Sequence, residues 1–162
     1  MNTAITVITT GGTIDKVYFD RESTFQIGGP QVGDVLREAN VVFTFDIVPL
    51  MRKDSLDMND ADRLLICQTA AAIPTKFVVI THGTDTMVKT AQALQSIRDK
   101  TIVLTGAMQP AKFRTTDAIF NIAHAVTSVQ ILPSGIYIAM NGRIFDPDHA
   151  QKNREKNRFE LN

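Results

Sequence analysis

The sequence predicts one α/β domain, a parallel sheet wound with helices on both faces, and three observations carry that expectation. Short apolar runs rich in β-branched residues recur at 4–9 (AITVIT), 77–80 (FVVI), 101–105 (TIVLT) and 135–140 (GIYIAM), and each reads as a buried strand. Stretches with helical period lie between them, the alternation that βαβ units produce. The length of 162 residues, 44% of them hydrophobic and 21% charged, suits a single soluble domain with a sizeable core.

Taken in order, the first run ends in Thr10-Gly11-Gly12-Thr13. Residues 15–29 are polar and aromatic without helical period and fit a mobile loop or a small hairpin. Residues 31–40 predict a short helix, 41–48 a second strand and 49–57 a loop opened by Pro49. Asn59 or Asp60 is placed to cap the helix over 60–72. After the strand at 77–80 come a helix over 85–98, the strand at 101–105, a helix over 115–129 and a last strand at 135–140. Right-handed crossovers would put helices on both faces, so residues 1–162 are expected to form one doubly wound domain of the Rossmann-like or flavodoxin-like kind.

Lys plus Arg and Asp plus Glu both number 17, which disfavours a nucleic-acid partner. The one charged cluster, 152–158 (KNREKNR), reads from composition alone as a solvated terminal segment. Cys67 is the only cysteine, so no intrachain disulfide forms, and its apolar helical setting fits a small core residue. The N-terminus enters a strand without a basic region or cleavage signal, and no apolar run nears the ~20 residues that span a bilayer. A cytoplasmic enzyme or binding domain is expected, with no membrane partner.

The chemistry concentrates in two turns that follow strands: the first at 10–13 and a second at Thr81-His82-Gly83-Thr84-Asp85-Thr86. In a parallel α/β sheet, ligands bind at the carboxyl ends of strands. A threonine hydroxyl becomes a nucleophile only with a base beside it, glycines let a substrate approach the backbone, and turn N–H groups cradle an anion. Each feature has a plainer reading, TGGT as a capped strand exit and Asp85 as a helix cap. No G-x-G-x-x-G or Walker pattern is present, and His82, His124 and His149 with one cysteine show no metal-ligand spacing. No metal or cofactor is expected.

TGGTID (10–15) and THGTDTM (81–87) together resemble the two signature motifs of the bacterial-type L-asparaginases. Ser55-Leu56-Asp57-Met58-Asn59-Asp60, Gly106-Ala107-Met108-Gln109-Pro110 and the stretch Asp117 to Asn121 are similar to further motifs of that family, in the same order. The resemblance covers about residues 5–153. It implies Thr13 as nucleophile; Thr84, Asp85 and Lys152 as a second catalytic cluster; and Ser55 and Asp57 as the groups gripping the substrate's α-carboxylate and α-amino groups. Gly12 and Gly83 would line the same substrate site, with Asp85 sharing the ammonium.

The resemblance implies hydrolysis of L-asparagine to aspartate and ammonia without a cofactor. The alternatives are a non-catalytic asparagine sensor and the ammonia-producing module of a tRNA-dependent amidotransferase. Three departures stand out. Phe25 occupies the register of a loop tyrosine that assists the first threonine in long members, and Tyr18 is the nearby substitute. Leu56 stands where the family has a substrate-contacting Gln. The family's second domain, which completes the site from a neighbouring subunit, has no counterpart in the chain, so a catalytic-domain-only short form working as a homodimer or higher homo-oligomer is expected.

Overall fold

The computed structural model describes residues 3–162. Five parallel strands and one antiparallel edge strand make the central sheet: β1 (Ala4–Gly11), β4 (Thr44–Lys53), β5 (Phe77–Thr81), β6 (Thr101–Thr105), β7 (Gly135–Met140) and β8 (Arg143–Phe145). Their spatial order is β4-β1-β5-β6-β7-β8, so the parallel strands run 2-1-3-4-5 when counted along the chain. That is the flavodoxin-like order, with its switch point between β1 and β5. The predicted fold class holds, with β8 turning back against β7 as its antiparallel margin.

Four helices cover the sheet: α1 (Val32–Glu38), α2 (Asp60–Ala72), α3 (Met87–Ala93) and α4 (Ala118–Ile131). Strand residues alternate between the two faces, as a pleat requires. Val78, Ile80, Ile102 and Leu104 pack under α2 and α3 with Ile66 and Met87. Val79, Val103 and Ala139 pack under α1 and α4 with Leu36, Ile122 and Val126. Asn59 starts α2 with a capping box, its side chain accepting from Asp62 N at 3.0 Å while its own N–H donates to Asp62 Oδ2 at 3.1 Å.

Several expectations need correction. The predicted loop at 49–57 is largely strand, because β4 runs on through Pro49 to Lys53. β4 is an edge strand, where a missing N–H costs no ladder bond on the open side. The strand begins at Thr44, and Val41 to Phe43 precede it. The helix predicted for 85–98 is regular only over Met87–Ala93. Residues 15–29 form a hairpin of β2 (Lys16–Phe19) and β3 (Thr24–Ile27), the second of the two forms expected. Gly135–Met140 is not the last strand: β8, β9 (Ala150–Asn153) and β10 (Arg158–Leu161) follow. The charged segment 152–158 is therefore a hairpin turn, seated by the buried Phe159 against Phe145 at 6.3 Å between ring centroids.

Candidate active site

Both threonine turns emerge at the switch point, one from β1 and one from β5, and glycine lets them touch. Gly12 has φ +88° and ψ −177°, a region that essentially only glycine occupies. A Cβ there would lie 2.6 Å from Gly83 Cα and N, and a Cβ on Gly83 would lie 2.7 Å from Ser55 Cβ and Oγ. The turns at 12, 83 and 55 are thus stacked backbone to backbone. Thr10 Oγ1 adds a cross-tie by donating to Thr81 O at 2.8 Å.

The second turn is held from every side. His82 is fully buried, with Nδ1 2.7 Å from Gly83 O and Nε2 2.8 Å from Thr90 Oγ1. That geometry fits a neutral ring donating from Nδ1 to the carbonyl and accepting the Thr90 hydroxyl at Nε2. Burial pushes the imidazole down to about 4, with the Gly83 carbonyl opposing and the Arg63 charge reinforcing the shift. Thr86 N–H donates to Ser55 Oγ at 3.3 Å and Thr86 Oγ1 to Ser55 O at 2.8 Å. His82 is thus a structural anchor of the turn. Among the described residues no group of three His, Cys, Asp or Glu side chains converges as a metal site.

On this frame sits the chemical cluster. Lys152, carried on β9, donates from Nζ to Thr84 Oγ1 at 2.7 Å and to Asp85 Oδ1 at 3.0 Å. Thr84 is buried and the Lys152 side chain is 15% exposed, so few waters compete for these bonds. Arg154, from the same hairpin, reaches the same Asp85 oxygen at 3.1 Å. Reading the sequence missed Arg154; its only signal was its place two residues beyond Lys152. Glu160 braces the hairpin: Asn153, Arg158 and Lys156 hold its carboxyl down to about 2.

The first turn is looser. Thr13 is half-buried and opens a short 3-10 turn, and among the described residues its hydroxyl makes no hydrogen bond. Gly12 N–H already donates to Lys53 O at 3.0 Å, which removes it from any set of oxyanion donors. Asp15 is buried; desolvation raises its carboxyl to about 6, partly countered by the Gln31 N–H and the charge of Arg52. It clamps the base of the hairpin, accepting Gln31 N at 2.9 Å through Oδ1 and Gly28 N at 2.8 Å through its backbone oxygen.

Tyr18 and Phe25 face each other across the hairpin with centroids 5.3 Å apart, each about half exposed, and Phe25 leans on Phe113 at 5.4 Å. Ser55 is buried with its hydroxyl proton still free to donate, Asp57 is exposed, and Leu56 projects into solvent. The structure gathers Gly12, Ser55, Gly83, Thr84, Asp85 and Lys152 at one place, with Tyr18 standing off on the hairpin. The segments at 106–110 and 117–121 lock each other: Asp117 accepts Met108 N and Gln109 N at 2.9 and 3.0 Å, and Asn121 Nδ2 donates to Gly106 O at 2.9 Å.

Fold and site define a flavodoxin-like domain with a Thr–Lys–Asp cluster at its switch point. The chain belongs to the asparaginase family, matching the model of the family's N-terminal domain over residues 4–160. It is 32% identical over 163 aligned positions to the L-asparaginase of Bacillus licheniformis, covering 94% of this chain and 50% of that one. The thermostable L-asparaginase from Thermococcus kodakarensis superposes with a TM-score of 0.85 at 26% identity, over 98% of this chain and 51% of the other. A stretch of 71 positions is 41% identical to a component of the glutamyl-tRNA(Gln) amidotransferase of Methanococcus vannielii, 43% of this chain and 17% of that protein. The chain spans about half the length of the asparaginases it matches.

Proposed function

We propose that this domain carries the catalytic groups of an amidohydrolase that converts L-asparagine to L-aspartate and ammonia, with Thr13 as nucleophile. The observation that carries the reading is Lys152 Nζ bonded at once to Thr84 and Asp85 beside the Gly12–Gly83 contact. Thr13 Oγ attacks the side-chain amide carbon and loses its proton. Lys152, acting through the Thr84 hydroxyl, moves that proton to the departing nitrogen, which leaves as ammonia. The resulting ester is cleaved by water, releasing aspartate and restoring Thr13. Ser55 donates to the α-carboxylate, while Asp57 and Asp85 take the α-ammonium. Turn N–H groups other than that of Gly12 face the oxyanion. Tyr18 or Phe25 closes over the site when the hairpin folds down.

The test is ammonia release from purified protein with asparagine and glutamine compared. Asparagine is expected to be the better substrate, although one methylene by itself gives only ~1–3 kcal/mol of discrimination. A kcat/KM ratio at or below one rejects the asparaginase assignment. The likeness to an amidotransferase component favours a second reading, an ammonia-producing module, for which glutamine would be the preferred amide.

We further place the working form in the cytoplasm as a homodimer or higher homo-oligomer. The support is the lone Cys67, the absence of any described helix long and apolar enough to cross a membrane, and the exposed cluster of Tyr18, Phe25 and Phe113. Light scattering over a dilution series checks it; a monomeric mass at full specific activity removes the oligomer.

A further inference from the structure

On the sheet face opposite α1 and α4, a cavity of about 530 Å³ opens between α2 and α3. Its chemistry is one-sided. Arg63 on α2 is nine-tenths buried, yet among the described residues its guanidinium makes a single hydrogen bond, a 3.3 Å contact from Nη1 to the fully exposed Asp60. Its Nε is buried and bonded to nothing among the described residues. A guanidinium carries five N–H donors; that of Nε is unmet away from water, which is costly, while the terminal nitrogens keep donors to spare beside the groove. Across the groove, Lys89 on α3 is exposed and in no ion pair among the described residues. The Ser96 hydroxyl, 3.9 Å from Cys67 Sγ, completes a donor-rich lining.

We propose that the α2–α3 groove is a second binding site, for a small ligand bearing an oxyanion, a phosphate or a carboxylate, held by Arg63 and Lys89 with Ser96 as a further donor. A planar guanidinium takes such a group through two parallel N–H bonds, and Lys89 supplies a second charge from the facing helix. The ligand displaces the Asp60 contact, the one carboxylate on the groove that opposes it. The inference does not rest on the asparaginase reading, and its test needs no turnover.

Cys67 lines the groove, is half-buried and is the chain's only thiol, so its alkylation by N-ethylmaleimide reports occupancy locally. Inorganic phosphate and, in a separate arm, succinate are titrated at ionic strength held constant with chloride. Saturable slowing of alkylation by either anion supports the site, and the more effective arm assigns the class. Lys89→Gln, a surface change, should raise the half-saturating concentration about tenfold, the worth of one charge-assisted bond. Arg63→Gln, once shown to be folded by circular dichroism, should abolish protection, and Asp60→Asn should lower the half-saturating concentration. Protection no greater than chloride gives in both arms, or an unchanged titration in Lys89→Gln, overturns the proposal.

Discussion

The two threonine turns differ in how they are held. The turn after β5 is largely buried and most of its polar groups are bonded, His82 to Gly83 and Thr90, Thr84 to Lys152 and Thr86 to Ser55, with Thr81 Oγ1 the buried hydroxyl left without a partner among the described residues. The turn after β1 presents a half-exposed Thr13 with no base bonded to it among the described residues, next to a hairpin tied down chiefly at its root by Asp15. A site needs both qualities, since proton transfer wants groups fixed in advance while substrate entry wants a side that opens. The fixed half draws on three separated segments, around 55, 82–90 and 152. The open half is more local in sequence, between 13 and 31, with distant ties at Lys53, Ala111 and Phe113.

Removing each hydroxyl in turn tests this division most forcefully. Thr13→Ala and Thr84→Ala are each expected to lower kcat by about 10³-fold or more with little change in thermal midpoint. They should differ in labelling: an electrophilic asparagine analogue should still modify the retained Thr13 hydroxyl in Thr84→Ala, read by intact-protein mass spectrometry, and should leave Thr13→Ala without an adduct. An adduct in Thr13→Ala reverses the nucleophile assignment and makes the fixed turn the attacking one.

Gly83→Ala attacks the contact between the halves. Its Cβ would meet Ser55 at 2.7 Å, so Ser55 and the turn must part. A stability loss of about 3 kcal/mol by urea unfolding is expected, together with loss of activity. Wild-type stability in that variant would mean the stacked backbones yield easily.

The two turns also have opposite pH signatures. Folded Asp15 titrates at about 6 against an ordinary 3.8, so the native state binds its proton more tightly and stability from this group falls as pH rises from about 4 to 6. Folded His82 titrates at about 4 against 6.5, so stability from it falls as pH drops through the window between those values. Each effect is worth up to about 3 kcal/mol, and in the native chain they largely offset each other. Asp15→Asn should therefore unmask a steep loss of stability between pH 6.5 and 4, measured by urea unfolding at each pH. A slope equal to that of the unmodified protein removes Asp15 from the account.

The smallest effect is expected at Arg154, whose pair with Asp85 is 68% exposed on the arginine side. Arg154→Gln should change KM by no more than about threefold, the range of a solvent-screened ion pair. A loss of activity comparable with that of Thr84→Ala would show Arg154 to be part of the fixed half.

Strand positions and the two hydroxyl turns were legible because they are local signals. β-Branched runs in a buried parallel sheet need no partner to be recognised, and glycine beside threonine at a strand exit marks a tight, polar turn. The reach of β4 through Pro49 was hidden because a proline is judged by its own missing N–H, while its tolerance depends on being at an edge, a fact of sheet order. The hairpin bearing Lys152 was hidden for a related reason. Its charged turn looks solvated in isolation and becomes structured through Phe159 docking on Phe145 and through the Glu160 network.

Residue chemistry and local periodicity were therefore enough to specify the α/β alternation, the apolar strands and the threonines available for reaction. Which threonine has a bonded lysine, how Asp85 comes to serve both Lys152 and Arg154, and why Gly12 and Gly83 tolerate no side chain were decided by contacts between residues about 30 to 70 positions apart. Such contacts exist only once the sheet has brought the ends of β1 and β5 together, because a hydrogen bond or a steric limit depends on distance in space and leaves no periodic trace along the chain.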